Sequence, residues 1–226
     1  MLARRTAAEA IGAFTLVLAG TGAIVADSLS GGAVGPVGVA LAFGLAVMVM
    51  IQAVGDVSGA HFNPAVTLGF WAARRLPARD VAPYVASQLA GALLASGLLR
   101  GLAPAHPDLG ATRMSVGAPE AFGLEVVLTF FLMFVILSVS TGAKEKGLMA
   151  GIAIGGTVAM GALFGGPFTG ASMNPARSLA PALWSGQMAG LWLYLVAPVL
   201  GAGLAVLGCR CVHAPGCCGA AAADAA

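Results

Sequence analysis

Two short segments of this chain are near copies of each other. Residues 58–68 read SGAHFNPAVTL and residues 169–179 read TGASMNPARSL, identical at six of eleven positions, with Ser58/Thr169 and Thr67/Ser178 conservative pairs. Each carries an Asn-Pro-Ala triplet: Asn63, Pro64, Ala65 and Asn174, Pro175, Ala176. Asn is a strong helix N-cap, and Pro suits the first helical position, where its missing N–H costs nothing. Each triplet therefore predicts the start of a helix. Primary amides there can donate to the oxygen of an uncharged molecule. No nucleophile–base–acid set, phosphate loop or cofactor fingerprint accompanies them, so neither an enzyme nor a cofactor is expected.

Other chemistry-bearing residues stand apart from the triplets. Glu9 opens EAIGAFTLVLAG and Glu125 opens EVVLTFFLMFVI. Acids inside apolar runs suggest ion or proton relays by default. His61 has no second His, Cys or acid at ligand spacing, which argues against a metal there. Cys209, Cys211, Cys217 and Cys218 crowd the C-terminal end around His213. They read either as a soft-ion site or as a dispensable or lipidated tail; the spacing matches no closed zinc pattern, and no metal site is expected.

The elements that must position these residues follow from composition. The 226 residues are 59% hydrophobic and 9% charged, against about 25% charged in a soluble domain, so the chain cannot cover itself in water. The apolar content excludes disorder, and a net charge of +2 argues against a nucleic-acid partner. Thirty-three glycines and long continuous apolar runs favour a bundle of membrane helices over a β-barrel. Six stretches approach the roughly 20 residues that a span needs: about 7–26, 34–55, 82–101, 121–141, 147–166 and 189–210. The apolar stretches 64–73 and 175–184 are half that length and predict re-entrant half-helices. Arg4, Arg5, Arg74, Arg75, Arg79, Lys144, Lys146 and Arg210 then fall on one side, predicting that both termini are cytoplasmic and that 102–118 is external.

Each half thus reads helix, helix, half-helix, helix. Three spans is an odd number, so the second copy enters the membrane inverted. The two helix starts then meet near the midplane, positive dipole ends facing. Non-helical backbone at that depth must be buried in protein or bathed by water, and a pore at this junction is the expectation. A secondary transporter would carry paired acids or a cation-coordinating cluster there, and an ion channel rings of carbonyls or charges; this midplane holds amides. The expected organisation is one channel domain, 1–212, with repeats at about 5–101 and 119–211 and a short disordered Cys/Ala-rich tail at 213–226.

SGAHFNPAVTLG, GASMNPARSLAP, ALAFGLAVMVM at 40–50 and the Glu-bearing first span of each half resemble the aquaporin (major intrinsic protein) family, prokaryotic type. The resemblance covers about residues 5–210. It implies an all-α fold of six tilted helices and two half-helices around one pore per subunit. It also implies a homotetramer in the plasma (inner) membrane that passes water and excludes protons and ions. Asn63 and Asn174 would orient the permeant, and Arg177 would form a selectivity constriction with Phe43, Ala162 and Ala171. Glu9 and Glu125 would brace the re-entrant loops, and His61 would brace its loop or line an entrance. Phe43, Ser178 and Tyr194 are water-channel-like. Ala162 and Ala171 stand where larger polar residues are common, and Leu195 where Trp is typical. Similar segments occur in branches passing metalloid hydroxides and other neutral solutes. Water is the first expectation; the alternative is a broader pore for glycerol, arsenite or boric acid.

Overall fold

A computed structural model of the chain describes residues 1–140 and 149–212. Lys144, Lys146, His213, Cys217, Cys218 and the tail expected at 213–226 lie outside the described residues. Those described form eight helices: α1 Leu2–Leu29, α2 Gly35–Ser58, α3 Pro64–Ala72, α4 Ala78–Leu102, α5 Ala118–Val139, α6 Ala150–Thr169, α7 Pro175–Ser185 and α8 Leu191–Val212. Six are long and apolar enough to cross a membrane. α3 and α7 have 9 and 11 residues, too few for the roughly 30 Å apolar core.

Hydrogen bonding sets the helix ends more firmly than hydropathy does. α2 runs past the apolar stretch to Ser58, and α6 runs to Thr169. Each stops at a left-handed glycine, Gly59 (φ 87°) or Gly170 (φ 78°), whose N–H closes the last turn on Gly55 O or Gly166 O. α3 and α7 begin where Asn63 and Asn174 turn to extended backbone and their side-chain oxygens accept the N–H of Ala65 and Ala176, each at 2.9 Å.

The packing respects the sequence repeat. α1 lies along α4 as α5 lies along α8, α1 meets α2 as α5 meets α6, and α2 crosses α6 between the halves. Each half-helix packs on the last span of the opposite half, α3 on α8 and α7 on α4. Small residues permit the close crossings. A Cβ on Gly44 would lie 2.6 Å from the Gly155 carbonyl oxygen, and one on Gly155 would lie 2.5 Å from that of Gly44. Gly91 rests on the Ala10 carbonyl and Gly201 on that of Val126, each acceptor one residue beyond Glu9 or Glu125. Apolar side chains such as Leu45, Phe131, Leu163 and Leu204 face outward, as a lipid-exposed surface requires.

Candidate functional site

The loops entering α3 and α7 meet at the centre of the fold. Asn63 Nδ2 donates to Met173 O at 2.7 Å, and Asn174 Nδ2 donates to Phe62 O at 3.0 Å. Each amide is thus held by the backbone of the opposite loop. Because an amide nitrogen carries two N–H groups, each Asn keeps one for the cavity that both line. The cavity encloses about 540 Å³ of empty space, counted with its open mouths.

The loops share an unusual backbone. Ala60 and Phe62 have φ of 52° and 51°, and Ala171 and Met173 have 43° and 52°. Left-handed non-glycine residues are strained and persist only where the surroundings impose them. Here buried carboxylates impose them. Glu9 Oε1 accepts from Ser58 Oγ (2.7 Å) and His61 N (2.9 Å), while Oε2 accepts from Phe62 N and Gln88 Nε2, both at 2.7 Å. Glu125 Oε1 accepts from Thr169 Oγ1 (2.7 Å) and Ser172 N (2.8 Å), and Oε2 from Met173 N (2.9 Å). Two consecutive N–H groups pointing at one carboxylate force the chain to curl.

Further contacts hold the frame. Tyr84 donates its hydroxyl to Ser58 O at 2.8 Å, and Tyr194 donates to Thr169 O at 2.7 Å, so each ties the last carbonyl of α2 or α6. Sequence reasoning missed Tyr84 and noted Tyr194 only as water-channel-like. Tyr194 is buried away from the cavity lining. A signal was available: the chain has two tyrosines, each seven residues before a close-packed glycine, Gly91 or Gly201. His61 lines the cavity, stacks on Phe70 (centroids 4.4 Å, planes 8° apart) and sets Nδ1 3.1 Å from Thr67 Oγ1. In the second loop Ser172 and Ser178 make the matching tie at 2.6 Å.

Phe43, Ala162, Ala171 and Arg177 all line the same cavity. Arg177 is 1% exposed, donates Nη1 to Gly110 O at 2.9 Å and lies 5.0 Å from the Phe43 ring centroid. Its Nε is buried without a partner among the described residues. Gly110, which sequence reasoning did not single out, therefore fixes the arginine across 67 residues. Val66 occupies in the first half the place that Arg177 holds in the second, and it too lines the cavity. Leu195 is half-buried and absent from the lining. Cys209 is buried on α8 and Cys211 is exposed, both remote from the lining; the other two cysteines fall outside the described residues.

Comparison with known proteins agrees with this architecture. The family model of the major intrinsic protein matches residues 1–208. Aquaporin NIP1-1 of rice is 46% identical over 196 residues, covering 86% of this chain and 69% of the rice protein. Nodulin-26 of soybean is 45% identical over 200 residues, covering 88% and 74%. The crystal structure of the aquaglyceroporin from Plasmodium falciparum superposes with a TM-score of 0.82 at 25% identity, covering 91% of this chain and 94% of that one. Two inverted half-helices meeting at a central cavity and a family match over nearly the whole chain make this protein a multi-pass membrane channel, not an enzyme, of the major intrinsic protein (aquaporin) family.

Proposed function

We propose that the protein passes water and small uncharged hydroxylated solutes, of glycerol, arsenite or boric acid size, down their gradients while excluding protons and ions. The observation that carries this is the lining that Arg177 shares: Phe43, Ala162 and Ala171 are apolar, and the two alanines add the least bulk a side chain other than glycine can. One fixed donor within an apolar ring suits a molecule with a hydroxyl edge and a carbon or metalloid body. Water alone, the first expectation from the sequence, becomes the second reading. The resemblance to plant NIP proteins and to a protein named an aquaglyceroporin supports that order. A strict water channel is the second reading, favoured by the Phe43 ring against Arg177 and by Ser178.

Exclusion of ions follows from the dipoles. The N-termini of α3 and α7 each present roughly half a positive charge toward the region between Asn63 and Asn174. A water held there with its oxygen toward both amides has no free acceptor to relay a proton, and cations meet a positive potential reinforced by Arg177. Glu9 and Glu125 act as braces of the two loops, and His61 stiffens the first. The whole of 1–212 works as one channel domain, with both termini on the cytoplasmic side of the plasma membrane and four copies assembling as a homotetramer.

Reconstitution tests this. Proteoliposomes shocked with sucrose should shrink faster than empty vesicles, and after a glycerol shock should re-swell faster, with no added proton leak. Rapid shrinkage without glycerol re-swelling would establish the strict water channel instead. Shrinkage no faster than empty vesicles would refute water permeation, and added proton leak would refute ion exclusion.

A further inference from the structure

The carbonyl that holds Arg177 belongs to a loop, 103–117, whose geometry depends on one imidazole. Leu109 and Gly110 are both left-handed (φ 53° and 73°), and Leu109 is fully buried. The Leu109 N–H donates to His106 Nδ1 at 3.0 Å, and the Gly110 N–H donates to Asp108 Oδ1 at 3.0 Å. Both peptide groups flanking the Leu109–Gly110 turn are thus held by His106 and Asp108. Since a backbone N–H can only donate, Nδ1 must accept, which places the proton of neutral His106 on Nε2; that nitrogen is buried without a partner among the described residues. His106 itself is buried, 7% exposed.

From the geometry we propose that His106 is a positioning residue for Arg177, and that acidification on the side of loop 103–117 lowers solute flux through it. The inference rests on the proposed placing of Arg177 at the constriction. Proton uptake at Nδ1 turns the acceptor into a donor. The bond from Leu109 N–H is lost, and the new Nδ1–H faces Asp108 Oδ1, 3.5 Å away, the same oxygen that holds Gly110 N–H. The Leu109 tie is lost outright, and Asp108 Oδ1, which can accept from both donors, is drawn toward the imidazolium and takes the Gly110 N–H with it; the Gly110 carbonyl then moves away from Arg177 Nη1. The freed guanidinium then finds acceptors in the lumen and narrows it.

The charged surroundings of His106 are few. Asp108 of its own loop is the anion and is itself paired with Arg113 Nη2 at 3.1 Å. From the end of α4, Arg100 donates Nη1 to the His106 and Pro104 carbonyls and Nη2 to Trp184 O of α7, so the start of the loop stays anchored whatever the imidazole does. From α7 itself comes Arg177, beyond Gly110, while α1 presents the uncharged Thr21 to Gly110. The moving part is therefore the Leu109–Gly110 turn alone.

The test uses proteoliposomes of the full chain with equal pH inside and out, stepped from about pH 8 to about pH 5. Glycerol or water flux of the wild type should fall about fivefold, the population change expected when one net hydrogen bond is lost. His106→Asn places Oδ1 where Nδ1 was, accepts from Leu109 N–H without titrating, and should stay at the high-pH flux throughout. Asp108→Asn keeps an oxygen for Gly110 N–H but removes the anion that draws on the new Nδ1–H, so its fall should be smaller; it carries the test should H106N fail to fold. A wild-type flux constant with pH, or the same fall in H106N or D108N as in the wild type, would overturn the proposal. Flux no faster than empty vesicles at every pH would overturn the proposed permeability, a result distinct from a steady flux above that baseline.

Discussion

Glu9→Gln probes whether a buried carboxylate holds the first re-entrant loop. Each Glu9 oxygen accepts one backbone N–H, from His61 or Phe62, plus one side-chain donor. Whichever way the Gln amide is turned, its NH2 group therefore faces a backbone donor in a fully buried site. Hydrogen bonds to a charged group contribute about 1.5–3 kcal/mol each, and the variant loses the two on one oxygen while regaining part of the desolvation of the charge. The net destabilisation should be about 3 kcal/mol. For a chain of this size each kcal/mol moves the midpoint by about 2–4 °C, so a fall of roughly 6–12 °C is expected. Glu125→Gln should fall less, because its amide can turn NH2 toward the oxygen site that receives only Met173 N–H. Thermal unfolding in detergent, followed by fluorescence-detected size exclusion, measures both. A Glu9→Gln midpoint within about 2 °C of the wild type, or a larger fall in Glu125→Gln, would refute the bracing role.

Three further outcomes bear on the constriction. Arg177→Ala should raise proton or cation leak in proteoliposomes without reducing glycerol flux, since it removes the one buried cation of the lining; an unchanged leak would shift ion exclusion entirely to the half-helix dipoles. Ala171→Cys should create block of flux by mercurials, reversed by thiol reductant, and normal conduction with the thiol demonstrably modified would remove Ala171 from the constriction. Ala162→Leu should cut glycerol flux at least about tenfold while sparing water more, because three added carbons enter the lining that it shares with Arg177; equal loss of both would mean that Ala162 does not set the width.

The triplets, the half-helices and the inverted order of the elements were legible because each rests on local chemistry: an N-cap, a proline at the first turn, a span too short to cross. The joining of the two loops was not. Ala60, Phe62, Ala171 and Met173 carry no mark of a left-handed backbone, which is imposed by carboxylates 46–53 residues away in sequence. The Gly110–Arg177 bond spans a similar gap and joins a loop with no periodic pattern to a half-helix. Arg5, read only as a topology signal, also pairs with Asp80 at 2.6 Å and lies over Tyr84, tying the start of α1 to α4. Long-range hydrogen bonds of this kind leave no period in the chain, and only paired oddities, such as the two tyrosines, hint at them.

What the repeat does not copy gives the channel its chemistry. The shared parts, an acid, a tyrosine, a close-packed glycine and an Asn-capped half-helix in each half, build a frame with equivalent ends. A frame with equivalent ends can orient a dipole at its centre but cannot make one mouth more selective than the other. The differences break that equivalence. Val66 faces Arg177 in repeat position, so a single charge sits on one side of the amides. His61 answers Ser172, giving an aromatic wall, stacked on Phe70, on one side and a hydroxyl on the other. Gln88, four residues after Tyr84, donates to Glu9 and Thr67; Pro198, four after Tyr194, can donate nothing, and Thr112 of the connecting loop bonds Ser178 instead, at 3.0 Å. The second half thereby draws the loop 103–117 into its bracing, and through Gly110 the same loop reaches Arg177. The proposed selection by charge and the proposed means of adjusting it thus both fall on the side where the repeat is broken.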